Sequence, residues 1–132
     1  MAKTDTLPGG LLLDTHVFLW WRENSRRLKP PVRRAIEVAE VVFVSAVTAW
    51  EVAIKVSLGR LEIPGTVESG VMDSGFEQLP IRFPHADLAG RLPRHHEDPF
   101  DRMLLAQAVV ERLTLVTHDE RFRAYDVPLL WT

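Results

Sequence analysis

The chain is a series of short apolar blocks, each about the length of one strand or helix, separated by polar turns. Leu11-Leu12-Leu13 follows two glycines and predicts a buried strand. Thr15 to about Arg22 predicts a helix, and Pro30-Pro31 opens another to about Ala39, since proline suits a first helical turn. Val41 to Val44 is apolar and largely β-branched, the pattern of a buried parallel strand. Ser45 can N-cap a helix from Ala46 to about Leu58, with Gly59 just past its end. The apolar seam of that helix reads Val47, Trp50, Ile54 and Leu58. Beyond Pro64-Gly65 come a short helix from Thr66, a strand near Glu77 to Leu79, and a helix opened by Pro84 to about Arg91. Pro99 opens a helix to about Arg112, Leu113 to Thr117 is a strand, and a short helix near Asp119 to Arg123 precedes a last strand at Pro128 to Leu130. Strands alternating with helices predict an α/β fold, a mostly parallel central sheet of four to five strands flanked by helices on both faces.

Residues 1–10 are polar, contain Pro8 and Gly9-Gly10, and predict a flexible lead-in to one domain over 11–132. The 132-residue length suits a single core, and 46% hydrophobic residues is ordinary for a globular protein. A net charge of −2 argues against a strongly basic nucleic-acid binder, while leaving room for a local basic patch. The absence of cysteine excludes disulfides, thiolate catalysis and cysteine-zinc sites, and is consistent with the reducing cytoplasm, the expected location. No run approaches the ~18 apolar residues of a membrane helix, so no membrane role is expected.

The acids change the picture. In open α/β sheets, ligands sit outside the carboxyl ends of the strands. Asp14 directly follows the first strand and Asp119 lies two residues after Thr117, so both point to that rim. Each could equally be a helix N-cap. Glu51 borders the apolar seam of its helix, where a carboxylate needs compensation, either from Lys55 at i+4 or from a cation at the sheet edge. In His95-His96-Glu97-Asp98-Pro99-Phe100-Asp101-Arg102, Asp98 sits at the N-cap and Asp101 at the third helical position, which resembles a capping box with Asp in place of Glu. Capping accounts for Asp98 better than for Asp101. If Asp14, Glu51, Asp101 and Asp119 converge, their mutual repulsion calls for a hard divalent ion, Mg²⁺ or Mn²⁺. Such a site suits phosphodiester hydrolysis.

LLLDTHVFLWW, VSAVTAWEVAIKVSLGRLEIP, HHEDPFDRMLLAQA and LVTHDERF, in that order and spacing, resemble PIN-domain ribonucleases of the VapC toxin type, from type II toxin–antitoxin pairs. The resemblance spans about residues 11 to 131. It implies a PIN-like domain and a catalytic site of Asp14, Glu51, Asp101 and Asp119. Asp14 and Asp101 would be the Mg²⁺ or Mn²⁺ ligands, with Thr117 supporting through its hydroxyl. It also implies an RNA substrate, a cognate VapB-type antitoxin and a homodimer. His16 departs from the Asn or Ser that many members carry there, and Asp98 is an extra acid beside the site.

Other residues remain to be placed. Adjacent residues rarely ligate one ion, so His95 and His96 are expected in a solvent-facing loop or in substrate contact. His16 and His118 are either site-adjacent or packed surface histidines. Phe18, Trp20, Trp21 and Trp50 are expected in core or dimer packing. The cluster Arg22, Arg26, Arg27, Arg33 and Arg34 is a solvated face unless it flanks the acidic rim. Arg102, next to Asp101, is the first candidate for substrate phosphate. A phosphoacceptor receiver domain is set aside because no lysine other than Lys3, Lys29 and Lys55 is present, and none lies near the last strand. A catalytically silent PIN-fold binding module is the alternative.

Overall fold

The computed structural model describes residues 9–132; the lead-in expected at the N-terminus lies outside them, except for Gly9 and Gly10. Five parallel strands form one sheet in the order β3-β2-β1-β4-β5: β1 Leu11–Leu13, β2 Val42–Ser45, β3 Glu77–Leu79, β4 Thr114–Thr117 and β5 Leu129–Trp131. Between them run α1 Thr15–Glu23, α2 Pro30–Val38, α3 Ala46–Ser57, α4 Val67–Asp73, α5 Phe83–Arg91 and α6 Pro99–Glu111, with a 3₁₀ turn at Glu120–Ala124 before β5. The predicted α/β class, strand count and element order all hold.

Side chains alternate across a strand, so β1 splits its leucines between two cores. Leu11 and Leu13 pack with Phe18, Val32, Ile36 and Val71 from α1, α2 and α4. Leu12 packs on the opposite face with Leu104, Leu105 and Ala108 of α6 and with Phe122. Helices therefore cover both faces, as the unbroken apolar strands require.

From β1 the chain proceeds outward through β2 and β3, then crosses back to β4 and β5. The direction of winding reverses beside β1, and the crevice of such a fold opens outside the carboxyl ends of the strands at that reversal. Asp14 and Asp119 follow β1 and β4 there. Gly10 sets the entry to β1: its φ is +86°, and a Cβ would meet the Val41 carbonyl oxygen at 2.8 Å. Its own carbonyl accepts from the Thr114 N–H at 3.1 Å.

The expected seam of α3 is wrong by a rotation. Val47, Thr48 and Val52 are the buried residues, while Trp50 is 60% exposed and Leu58 is exposed too. The polar face explains the difference. Thr48 and Glu51 are turned toward Thr15, with Thr15 Oγ1 lying 3.2 Å from Thr48 Oγ1 and donating to Glu51 Oε1 at 2.7 Å. That orientation leaves Trp50 outside, where it meets the Phe100 ring edge-on at 5.2 Å.

Candidate metal centre

Local capping rules bring the acids to the rim. Asp14 is the N-cap of α1, its Oδ1 accepting from the Val17 N–H at 3.1 Å. Its Oδ2 accepts from the Thr117 hydroxyl at 2.5 Å, and the same hydroxyl accepts from the Asp119 N–H at 3.1 Å. Thr117 thus ties the ends of β1 and β4 together. Asp119 caps the 3₁₀ turn through the Arg121 N–H at 3.0 Å. Asp98 caps α6, its Oδ1 accepting from Phe100 N–H at 2.8 Å and Asp101 N–H at 3.1 Å. Capping and site-forming were posed as alternatives for Asp14 and Asp119. Here capping is the device that fixes each carboxylate at the pocket.

Asp14, Glu51, Asp98, Asp101 and Asp119 all line one open pocket of about 540 Å³, within the ~300–1,000 Å³ of ligand sites. Glu51 is fixed by Thr15 and by Lys55, whose Nζ lies 3.1 Å from Oε2. Of the two partners expected for Glu51, the helical lysine is present, and the carboxylate also lines the pocket where the expected cation would sit. Burial pushes the Asp14 carboxyl up, only partly offset by the Thr117 hydroxyl, the Val17 amide and the nearby His16 and His118. Burial, and then the charges of Asp98, Asp14, Glu51 and Asp119, push Asp101 up to about 8. Burial also raises Asp119, but the bidentate Arg121 guanidinium, at 3.0 and 2.8 Å, outweighs it and leaves this carboxyl low. The acids would repel one another if all were ionised, and a divalent cation is the ordinary means of relieving that.

Three expectations need correction. His96 is not in a solvent-facing position: its ring is buried at 1% exposure against Phe122, and Nε2 lies 2.8 Å from Asp101 Oδ2 and 3.5 Å from Asp119 Oδ2. One ligand atom each from His96, Asp101 and Asp119 falls within 4.8 Å of the others. His95 remains exposed, beside Tyr125. The capping box is also incomplete as drawn. The Asp98 N–H is met not by Asp101 but by His96 Nδ1, at 3.3 Å. Finally, Arg102 does not reach the pocket. Its guanidinium is buried and donates to four carbonyls, those of Ala89 and Leu92 at 2.8 Å and of Pro93 and His96 at 3.1 Å. It anchors the loop that carries His96. The arginine at the pocket is Arg121.

His16 and His118 meet edge-on at 5.6 Å at the pocket, with His118 against Trp20. Arg27 and Arg33 lie over the Trp20 and Trp21 rings, so this part of the basic cluster is committed to packing. The sequence carries one signal for the place of His96. It stands two residues before the N-cap Asp98, close enough to fold back on the exposed amide.

Residues 11–128 match the family model described as the PIN domain. The chain belongs to the PIN-domain family. A relative named Ribonuclease VapC22, from Mycobacterium tuberculosis, is 31% identical over 121 residues, covering 89% of this chain and 93% of that one. Solved structures share the PIN fold at lower identity. VapBC2 from Rickettsia felis, bound to a DNA fragment from its promoter, superposes with a TM-score of 0.66 at 15% identity, covering 91% of this chain and 96% of the other. FitAcB from Neisseria gonorrhoeae gives 0.64 at 24% identity with the same coverages. Within this PIN domain, no helix among the described residues is long and apolar enough to cross a membrane.

Proposed function

We propose that this PIN domain is a metal-dependent endoribonuclease, the toxin of a type II toxin–antitoxin pair, with Asp14, Glu51, Asp101 and Asp119 as its catalytic carboxylates. The observation that carries the reading is the Asp101 carboxyl, pushed up to about 8 among four other acids. A cation at the centre of these carboxylates would offset their repulsion and favour the ionised form of Asp101 at neutral pH. The donors are hard oxygens, the chemistry of Mg²⁺ and Mn²⁺.

Asp14 and Asp101 would hold the ion, with Asp119 and Glu51 completing the shell directly or through water. When bound, the ion lowers the pKa of an attacking water and offsets charge on the scissile phosphate and leaving oxygen. The protein's own groups supply the rest. Thr117 holds the Asp14 and Asp119 positions against each other. Thr15 and Lys55 fix Glu51 at the pocket edge. Lys55 and Arg121 give the pocket mouth the positive charge that phosphate contacts use. The N-terminus of α6 favours the ionised form of Asp101. The relative named a ribonuclease supports RNA as the substrate. The toxin–antitoxin complexes of the same fold support a VapB-type antitoxin as partner, and a homodimer in the cytoplasm completes the reading.

The test is cleavage of a total small-RNA pool by purified protein with Mg²⁺ or Mn²⁺, with chelator, and with Asp101→Asn. Defined fragments that vanish with chelator and in the variant are expected. Folded wild type that cleaves nothing under either metal would overturn the nuclease and favour a PIN-fold binding module.

A further inference from the structure

His96 has no part in the catalysis described above, yet it is aimed at two of the acids. Its ring is buried, and its backbone is held on both sides. The His96 N–H donates to Tyr125 Oη at 2.9 Å, and its carbonyl accepts from Arg102 at 3.1 Å. Nδ1 accepts from the Asp98 amide. A neutral imidazole carries one N–H, so acceptance at Nδ1 places the proton on Nε2. That nitrogen lies 2.8 Å from Asp101 Oδ2 and 3.5 Å from Asp119 Oδ2, with no acceptor aligned to it. The result is a buried donor whose tautomer is set from behind and whose nitrogen lies beside the carboxylates with its hydrogen bond still unmade.

We infer that His96 is a positioning residue, whose Nε2–H holds Asp101 and Asp119 for the metal rather than binding the metal itself. The inference rests on the metal-site reading above. Distance alone would allow ligation. Bonds of ~2.1 Å in an octahedral shell put neighbouring ligand atoms about 3 Å apart, close to what Nε2 and the two oxygens show. The tautomer decides against it. A ligating Nε2 needs a bare lone pair, which moves the ring proton to Nδ1 and sets it against the Asp98 N–H, donor to donor. As a donor, His96 engages one oxygen of Asp101 and leaves the other for the ion, the usual role of a partner behind a metal ligand. Asp98 then serves the site twice, its carboxylate capping α6 and its amide setting the histidine tautomer.

The test uses the full chain, Mn²⁺ as the probe, and two variants. His96→Asn keeps an acceptor at the Nδ1 position and has no donor at the Nε2 position. His96→Gln places an amide N–H near Nε2. Long-range ¹H–¹⁵N NMR on histidine-labelled, metal-free protein reads the tautomer, with the His96 signals assigned by their loss in His96→Asn. Pulsed EPR on the Mn²⁺ complex reads any bound nitrogen. Expected are an Nε2-protonated ring, no ¹⁴N coupling to Mn²⁺, Mn²⁺ affinity lowered about 10–100-fold in His96→Asn, and affinity within about threefold of wild type in His96→Gln. A ¹⁴N coupling, an Nδ1-protonated ring, or His96→Asn binding Mn²⁺ like wild type would each overturn the inference while leaving the metal site intact. Wild-type protein that binds no Mn²⁺ would instead overturn the metal-site reading on which it rests.

Discussion

Replacing Asp101 by Asn should stabilise the metal-free protein at alkaline pH while abolishing its response to metal. The Asp101 carboxyl is raised to about 8 in the fold, by burial and by four neighbouring acids, against ~3.9 for an unfolded aspartate. Between those values the native state holds a proton that the unfolded chain has released. Stability from this group is therefore fully present below about pH 4 and is withdrawn as pH rises to about 8. Each pH unit in that window costs at most about 1.4 kcal/mol, so pH 5 to 8 withdraws up to roughly 4 kcal/mol. The side chain is 21% exposed, and water access reduces the effect, so about 2–3 kcal/mol is expected. Asn cannot ionise and removes this slope. The difference between wild type and variant reports Asp101 together with its coupling to Asp14 and Asp119, which titrate in both.

The assay is urea unfolding of both proteins at pH 5, 6, 7 and 8 in chelator, repeated with saturating Mn²⁺. In chelator the wild type should lose stability relative to Asp101→Asn as pH rises, and the variant should be the more stable at pH 8. Mn²⁺ at 100-fold its Kd should add about 2.7 kcal/mol to the wild type and little to the variant. A wild type that gains on Asp101→Asn between pH 5 and 8 in chelator would refute the reasoning, since Asp101 would then be ionised and stabilised by a partner other than a metal.

Three further outcomes follow from the packing. Thr117→Val deprives Asp14 of a donor and leaves the Asp119 N–H unmet, so it should cost about 1–3 kcal/mol in urea unfolding and weaken Mn²⁺ binding in calorimetry. Arg102→Lys should cost roughly 3 kcal/mol by the same unfolding assay, because an ammonium cannot span the four carbonyls the planar guanidinium reaches. Wild-type stability after that change would show that the loop holds without it. Trp50→Ala should cost under about 1 kcal/mol, against roughly 3–5 for Phe18→Ala, reversing the order expected if Trp50 sat in the seam of α3.

Strands and helices were legible in the sequence because their signals are local. A β-branched run such as Val41 to Val44, a Ser45 cap or a Pro99 opening needs only its neighbours to be read. Asp14, Asp101 and Asp119 were legible for the same reason: each follows a strand or lies in the first turn of a helix, so the sheet's own topology carries it to the rim. Glu51, in the second turn of α3, stood out only as a carboxylate beside an apolar seam. The rotation of α3 was not legible. Trp50 is apolar enough for a core, but hydrogen bonds with the Thr15 hydroxyl, which donates to Glu51 and accepts from Thr48, turn those two residues inward in its place. Arg102 and His96 failed in opposite senses. An arginine beside a catalytic acid reads as a phosphate ligand, yet four carbonyls of the preceding loop capture it. A histidine in a polar run reads as exposed, yet that anchored loop carries it under the acids. By itself, then, the sequence determined the fold class, the element order and a set of acids that meet at one pocket, because periodicity, caps and strand ends are properties of neighbouring residues. Only the tertiary structure decided which polar side chains face the acids and which are consumed in holding loops. A buried donor or acceptor must find a partner wherever the packed chain brings one, and those partners lie across the fold rather than along it.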